Sequence, residues 1–178
     1  CGSKRVRGEF NITGYGFEGN AIYPVVPELR RLLDTQGVAE LYIDLKPDLS
    51  EEILDARLRH TAWKERAAAL RLDRAALALL KAFTPKQRYL DGGSMVHDVK
   101  RLRVPVQALR PVAEAISTVG GIALAEVGDD LVLTTHPHLS VAGEMLDWEA
   151  PTGGFLLQGA FAMGWVAATG IRRRLALS

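Results

Sequence analysis

The sequence predicts an α+β chain: a small partial β-domain, a helical subdomain, and a closing strand that leads into a long helix. Three observations point there. Residues 4–13 and 39–45 carry the patterning of strands. Residues 50–86 contain no glycine and are rich in Ala, Leu, Arg and Glu. After residue 103 short extended runs and glycines return, and the chain closes on an uncharged segment, residues 153–171. These changes of texture set expected boundaries at 1–48, 49–102 and 103–178.

In order, residues 4–13 (KRVRGEFNIT) alternate loosely as a strand. Residues 20–36 read as a helix whose start is delayed by Pro24 and Pro27, and Gly37 ends it. Residues 39–45 (AELYIDL) form a second strand closed by Pro47. Ser50-Glu51-Glu52-Ile53 opens the helical block with an N-cap and an acidic first turn. Apolar stripes through Leu70, Leu72, Leu77, Leu79, Leu80 and Phe83 continue it as a bundle of about three helices, broken near Asp73 and stopped by Pro85. A short helix over 95–102 and an extended piece over 103–107 follow. Residues 110–119 read as a helix with Pro at its start and Gly120-Gly121 at its end. Residues 122–125, 131–134 and 139–142 read as short strands, the last running into the final helix.

Length and composition narrow the function classes. A chain of 178 residues, 48% hydrophobic and 24% charged, has the profile of a soluble globular protein with a real core. A net charge of +1 supplies no general field for nucleic acid, and Lys4-Arg5-Val6-Arg7 and Arg172-Arg173-Arg174 read as solvated termini. A single cysteine, Cys1, excludes an internal disulfide and a Cys-based zinc cage. The opening Cys-Gly-Ser carries no apolar leader, so the expectation is a cytoplasmic chain cut from a longer gene product. Residues 153–171 have the length of a membrane span, but five glycines, a Gln and an Ala-rich composition favour a helix packed inside protein.

Gly14-Tyr15-Gly16-Phe17-Glu18-Gly19 spells G-x-G-x-x-G, the dinucleotide-binding fingerprint. The strand before it is too polar for a central parallel strand, two prolines interrupt the helix after it, and Asp44 lies late for a ribose-binding acid. It reads instead as a glycine-permitted turn. His136-Pro137-His138 lacks a third ligand at useful spacing and reads as a surface turn. None of Ser3, Ser50, Ser94, Ser117 and Ser140 sits in a nucleophile elbow, and no acid/base pair stands out.

The stronger signal lies in residues 139–158, LSVAGEMLDWEAPTGGFLLQ. A short apolar strand ends in Gly-Glu, a loop follows, and Thr-Gly-Gly opens an uncharged helix. A helix N-terminus offers unpaired N–H donors and partial positive charge, and paired glycines let a flat ligand approach the backbone. A carboxylate past a strand end can accept hydrogen bonds from ligand hydroxyls.

Gly143-Glu144-Met145-Leu146-Asp147, the loop to Thr152, and Gly153-Gly154-Phe155 with the helix Gln158–Gly170 resemble the C-terminal signature of bacterial FAD-binding flavoproteins of the aminoacetone-oxidase-like type, an NAD(P)/FAD-dependent oxidoreductase family. Asp44-Leu45-Lys46-Pro47-Asp48 resembles that family's Asp-Leu-x-Pro-Asp stretch, and Glu114-Ala115 with Gly120-Gly121 resembles its Glu-Ala-x-x-x-x-Gly-Gly segment. Thr13, Gly16 and Gly19 fit the family's Thr-His-x-Gly-x-Ser-Gly-Pro turn, whereas Gly14, Glu18 and Asn20 depart from it.

The resemblance implies a fragment of an FAD-dependent oxidoreductase: part of the inserted domains plus the last strand and helix of a Rossmann-like FAD domain whose N-terminal part is missing. It implies FAD as cofactor of the full-length protein, with Gly143, Glu144, Asp147, Thr152, Gly153, Gly154 and Phe155 on the flavin-edge half of its site. Glu144 would lie near the ribityl or pyrophosphate region and Asp147 would fix the loop. Gly153, Gly154 and Phe155 would offer N–H groups to the pyrimidine edge, where the helix dipole stabilises charge on N1. Phe155 stands for the family's Tyr, and Leu156 stands where many members have Asn. Alone, the chain is expected to be inactive, and the apolar face of its last helix to be covered by a second copy in a homodimer. No membrane or nucleic-acid partner is expected. The alternative is a stand-alone, non-catalytic interaction module that retains the fold.

Overall fold

The computed structural model describes residues 4–150 and 153–176. They divide into two compact units, residues 1–109 and 110–178.

The first unit opens with a hairpin, β1 (Asn11–Thr13) paired antiparallel with β2 (Gly16–Glu18). Only the last three residues of the expected strand 4–13 find a partner. The G-x-G-x-x-G turn is therefore the hairpin loop: Gly16 has φ +147°, and the Thr13 hydroxyl accepts the Gly16 N–H at 3.1 Å. An antiparallel hairpin cannot present the βα crossover that a dinucleotide turn requires. Gly19 has φ +110°, and a Cβ there would sit 3.3 Å from the Phe10 Cα. This glycine serves close backbone packing.

A single 3-10 turn, Tyr23–Val25, leads into α1 (Val26–Gln36), with the two prolines absorbed into these first turns. Gly37 ends α1 in the left-handed conformation, φ +70°. Strand β3 (Ala39–Ile43) buries alternate residues Ala39, Leu41 and Ile43 and pairs antiparallel with β4 (Leu102–Val106).

The helical block lies between these strands. It comprises α2 (Glu51–Leu58), α3 (Arg66–Ala69), α4 (Arg74–Phe83), α5 (Lys86–Leu90) and α6 (Gly92–Lys100). Each longer helix starts where a side chain satisfies a free amide. Ser50 caps Ile53 N–H, Asp73 caps Ala76 N–H at 2.7 Å, and Asp91 caps Ser94 N–H at 2.8 Å. Leu54, Leu70, Leu80, Met95, Val99 and Leu102 are almost wholly enclosed and join the helices to the β3–β4 sheet in one core. Each such side chain contributes about 1.5–3 kcal/mol on burial. The Asp44–Leu49 stretch is held down by Lys100, whose Nζ donates to the Lys46 and Leu49 carbonyls and pairs with Asp44 at 2.6 Å. Asp44 thus has a structural partner inside its own unit.

The second unit is sparser in backbone pairing. The helix expected over 110–119 is reduced to one 3-10 turn, Val112–Glu114, and every residue from Pro111 to Gly120 is exposed. Ten residues without an apolar surface to pack on do not sustain a helix. The three expected strands survive only as single bridges, Val127 with Leu133 and Val132 with Ser140 antiparallel, and Ile122 with Leu146 parallel. Leu124–Glu126 forms another 3-10 turn. The predicted final helix is present and longer at both ends: α7 (Phe155–Arg174). Among the described residues no helix is long and apolar enough to cross a membrane. Mixed helices and two small antiparallel sheets make the fold α+β.

Candidate functional site

The predicted site residues gather around the start of α7. Gly143–Met145 forms a 3-10 turn after the extended Ala142. Gly143 is buried with φ +66°, and a Cβ there would lie 3.4 Å from that of Ala160 in α7, so the turn seats directly on the helix. Its carbonyl accepts the indole Nε1–H of Trp148 at 2.9 Å. Glu144, on the outer side of the turn, is exposed.

Leu146 anchors the motif in the unit's small core, together with Val132, Val141 and Ala167. On either side of it the backbone is clamped by the 120–122 segment. Ile122 N–H donates to the Met145 carbonyl at 3.0 Å, and Asp147 N–H donates to the Ile122 carbonyl at 2.8 Å. Asp147 Oδ1 accepts the Gly120 N–H at 3.2 Å. Gly121 has φ +151°, and a Cβ there would meet the Met145 carbonyl oxygen at 2.7 Å. The Gly120-Gly121 and Gly143–Asp147 segments, far apart in sequence, are therefore one structure.

Thr152 lies outside the described residues. Gly153 and Gly154 have φ +106° and +87°, and Gly154 is the N-cap of α7 with no side-chain cap. Among the described residues a Cβ built at Gly154 meets nothing within 4 Å. Among the described residues this end of α7 is thus uncapped by a side chain, and it carries the positive end of a 20-residue dipole. Phe155 is exposed beside it, its ring within 3.8 Å of a Cβ placed at Gly153.

Two contributors escaped the sequence reading. Trp148 braces the loop against α7: a Cβ at Gly159 would fall 2.3 Å from its ring. Arg174 closes the far end of α7 through Asp130 at 2.8 Å, where Gly170 lets the Asp130 Cβ approach. The signal for both was a glycine in a helix interior, which costs about 1 kcal/mol relative to alanine and calls for a packing reason. His136 and His138 sit in an exposed turn, with Thr135 Oγ1 3.0 Å from His136 Nδ1. Among the described residues no group of three His, Cys, Asp or Glu side chains is placed to hold a metal ion.

Residues 1–117 match the family described as HI0933-like protein barrel and H2TH domain. The match takes in both small sheets and the whole helical block, α2 to α6. With well over half its length inside that match, the chain belongs to the HI0933-like family of FAD-dependent oxidoreductase-like proteins.

Proposed function

We propose that this chain is part of an FAD-dependent oxidoreductase of the aminoacetone-oxidase-like type and contributes the flavin-edge half of its FAD site. The observation that carries the reading is the N-terminus of α7, uncapped by a side chain among the described residues, behind two glycines of positive φ and next to a turn that presents Glu144. Its chemistry fits the group. Backbone N–H donors and a helix dipole suit the electron-rich pyrimidine edge of a flavin, and the absence of side chains at 153 and 154 leaves room for a flat ring.

In this reading Gly153, Gly154 and Phe155 would hold the ring by backbone N–H groups, and Glu144 would lie near the ribityl or pyrophosphate region. Asp147 holds the turn by its bond to Gly120, and Gly143 lets the turn lie on α7. The flavin supplies the redox chemistry when bound, and the α7 dipole favours negative charge at the edge it faces. In this reading residues 1–48 and 49–102 make the inserted barrel-and-helix part together with β4, which pairs with β3, and the rest of 103–178 makes the flavin-proximal part. The pyrophosphate grip and adenosine site belong to the remainder of a full-length protein.

The test is a titration of the purified chain with FMN and FAD, followed by visible absorption and backbone amide shifts. Saturable shifts confined to 143–147 and 153–157, abolished by Gly153→Val, are expected. Shifts elsewhere, or none with either flavin, would overturn the reading.

One further observation bears on what covers α7 when the chain is alone. Leu157, Phe161 and Trp165 line one exposed stripe of α7, and Trp165 is 76% exposed. A homodimer that covers this stripe is expected in light scattering, and a monomer at all concentrations would remove it.

A further inference from the structure

The first unit carries a groove remote in sequence from the proposed flavin site. It opens where the outer face of the β3–β4 sheet meets α4, α5 and α6. Its apolar surface comes from Phe83, Pro85, Leu102 and Pro105. Its charge comes from Arg88, Arg101 and Arg103, against one acidic lining residue, Asp98.

The three arginines are not equivalent. Arg88 is spent on Asp98, with Nη2 to Oδ1 at 2.6 Å and Nε to Oδ2 at 3.1 Å. Arg103 is spent on Glu40, reached through Nε at 2.7 Å. Arg101 meets no carboxylate among the described residues. Its guanidinium carbon lies instead 4.9 Å from the centre of the Tyr42 ring. That contact holds the cation over the ring and leaves its N–H groups without a carboxylate partner among the described residues. The Tyr42 hydroxyl donates to Glu40 at 2.6 Å, so the ring under Arg101 is tethered through its hydroxyl.

A guanidinium held over a ring, with no carboxylate partner and apolar walls beside it, suits a carboxylate attached to a flat hydrophobic body. We propose that this groove binds a small aromatic carboxylate, with Arg101 as its bidentate partner and Phe83, Pro85 and Pro105 against its ring. The neighbouring ion pairs keep Arg88 and Arg103 in place as walls and add positive potential without competing for the ligand.

The probe is 2-naphthoate, titrated into the full chain and followed by amide and aromatic proton shifts, with 2-naphthalenemethanol as the neutral counterpart. Saturable shifts at Tyr42, Phe83 and Arg101 are expected, with at least ten-fold weaker binding of the alcohol. Arg101→Gln should weaken naphthoate at least ten-fold, while Arg172→Gln, at an exposed position of the second unit, should not. Equal binding of acid and alcohol, an Arg101→Gln variant that binds as well as the parent, or shifts centred elsewhere would each overturn the proposal. Should Arg101→Gln lower the melting temperature, the location of the shifts in the unmodified chain and the acid-to-alcohol ratio decide. Because this groove lies wholly in the first unit, its failure leaves the flavin reading standing, and the reverse also holds.

Discussion

The Trp148 indole lies so close over Gly159 that a methyl group there would overlap its ring, with 2.3 Å between a Cβ and Cη2. The Nε1–H of the same indole is tied to the Gly143 carbonyl, so a retreat of the ring would strain that bond. Gly159→Ala should therefore destabilise the second unit by about 1–2 kcal/mol, since overpacking outweighs the gain in helix propensity. Gly164→Ala, in the same helix with nothing within 4 Å, should stabilise it by up to about 1 kcal/mol. Urea unfolding of the two variants side by side checks the pair. Shifts of the same sign would remove the bracing role of Trp148.

Gly121 faces a harder boundary, because the atom in the way is the Met145 carbonyl oxygen at 2.7 Å. Gly121→Ala combines that clash with a φ of +151° that an L side chain rarely adopts. A loss of about 1–3 kcal/mol is expected. Loss of protection at the Ile122 and Asp147 amides in hydrogen exchange should accompany it. A variant with unchanged protection there would show that the two segments are joined by something else.

Thr84 ends α4 with its hydroxyl oxygen buried and without a hydrogen-bond partner among the described residues. Thr84→Val keeps the branched shape, suits the extended backbone at this position and removes a desolvated polar atom. The expected result is a gain of up to about 1 kcal/mol in thermal unfolding. A clear loss would mean that the hydroxyl is satisfied in solution.

Glu40 is held below the ordinary carboxylate range by hydrogen bonds from Arg103 and then from Tyr42. A carboxylate with a depressed folded-state pKa adds stability above its unfolded value, about 4.3 for Glu, and that stability fades as pH falls through the lower folded value. Glu40→Gln should therefore be less stable than the parent at neutral pH. The gap should close below about pH 4. Denaturation midpoints of both proteins across this range test it, and parallel curves would exclude the linkage. Glu28, lowered chiefly by its bond from Arg31, and Asp91, lowered chiefly by Ser94, act in the same direction within the same unit.

The first unit was readable because its signals are local. Ser50, Asp73 and Pro85 mark helix ends by chemistry that acts within one turn, and the alternation in Ala39–Ile43 needs only a partner of the same pattern. The partner, β4, lies beyond a five-helix block, and periodicity does not specify that pairing. The second unit was harder. Val112 and Ile116 have helical spacing, yet they are exposed and unsupported, so propensity had nothing to act on. In the site, the Gly153-Gly154 pair was legible as backbone that a ligand can approach; that Gly143, Gly153 and Gly154 all adopt positive φ was not. That Gly120-Gly121 would clamp the same turn was not legible, because a 2.7 Å approach to a carbonyl leaves no mark beyond a glycine pair.

The pairing of β3 with β4 also has a kinetic consequence. The two strands enclose the 58 residues 44–101, so the sheet can form only after a long loop closes. For a flexible loop of that length the entropic cost is about 3.6 kcal/mol on the length-dependent term alone. The enclosed segment, however, folds back on itself, with α2 packing against α6 at its other end, and this shortens the effective loop before the strands meet. Mutations that weaken the caps at Ser50, Asp73 or Asp91 should therefore slow refolding of the first unit more than they speed its unfolding. The two strands at the edge of the helical block become the last part to lock rather than the template on which it is built.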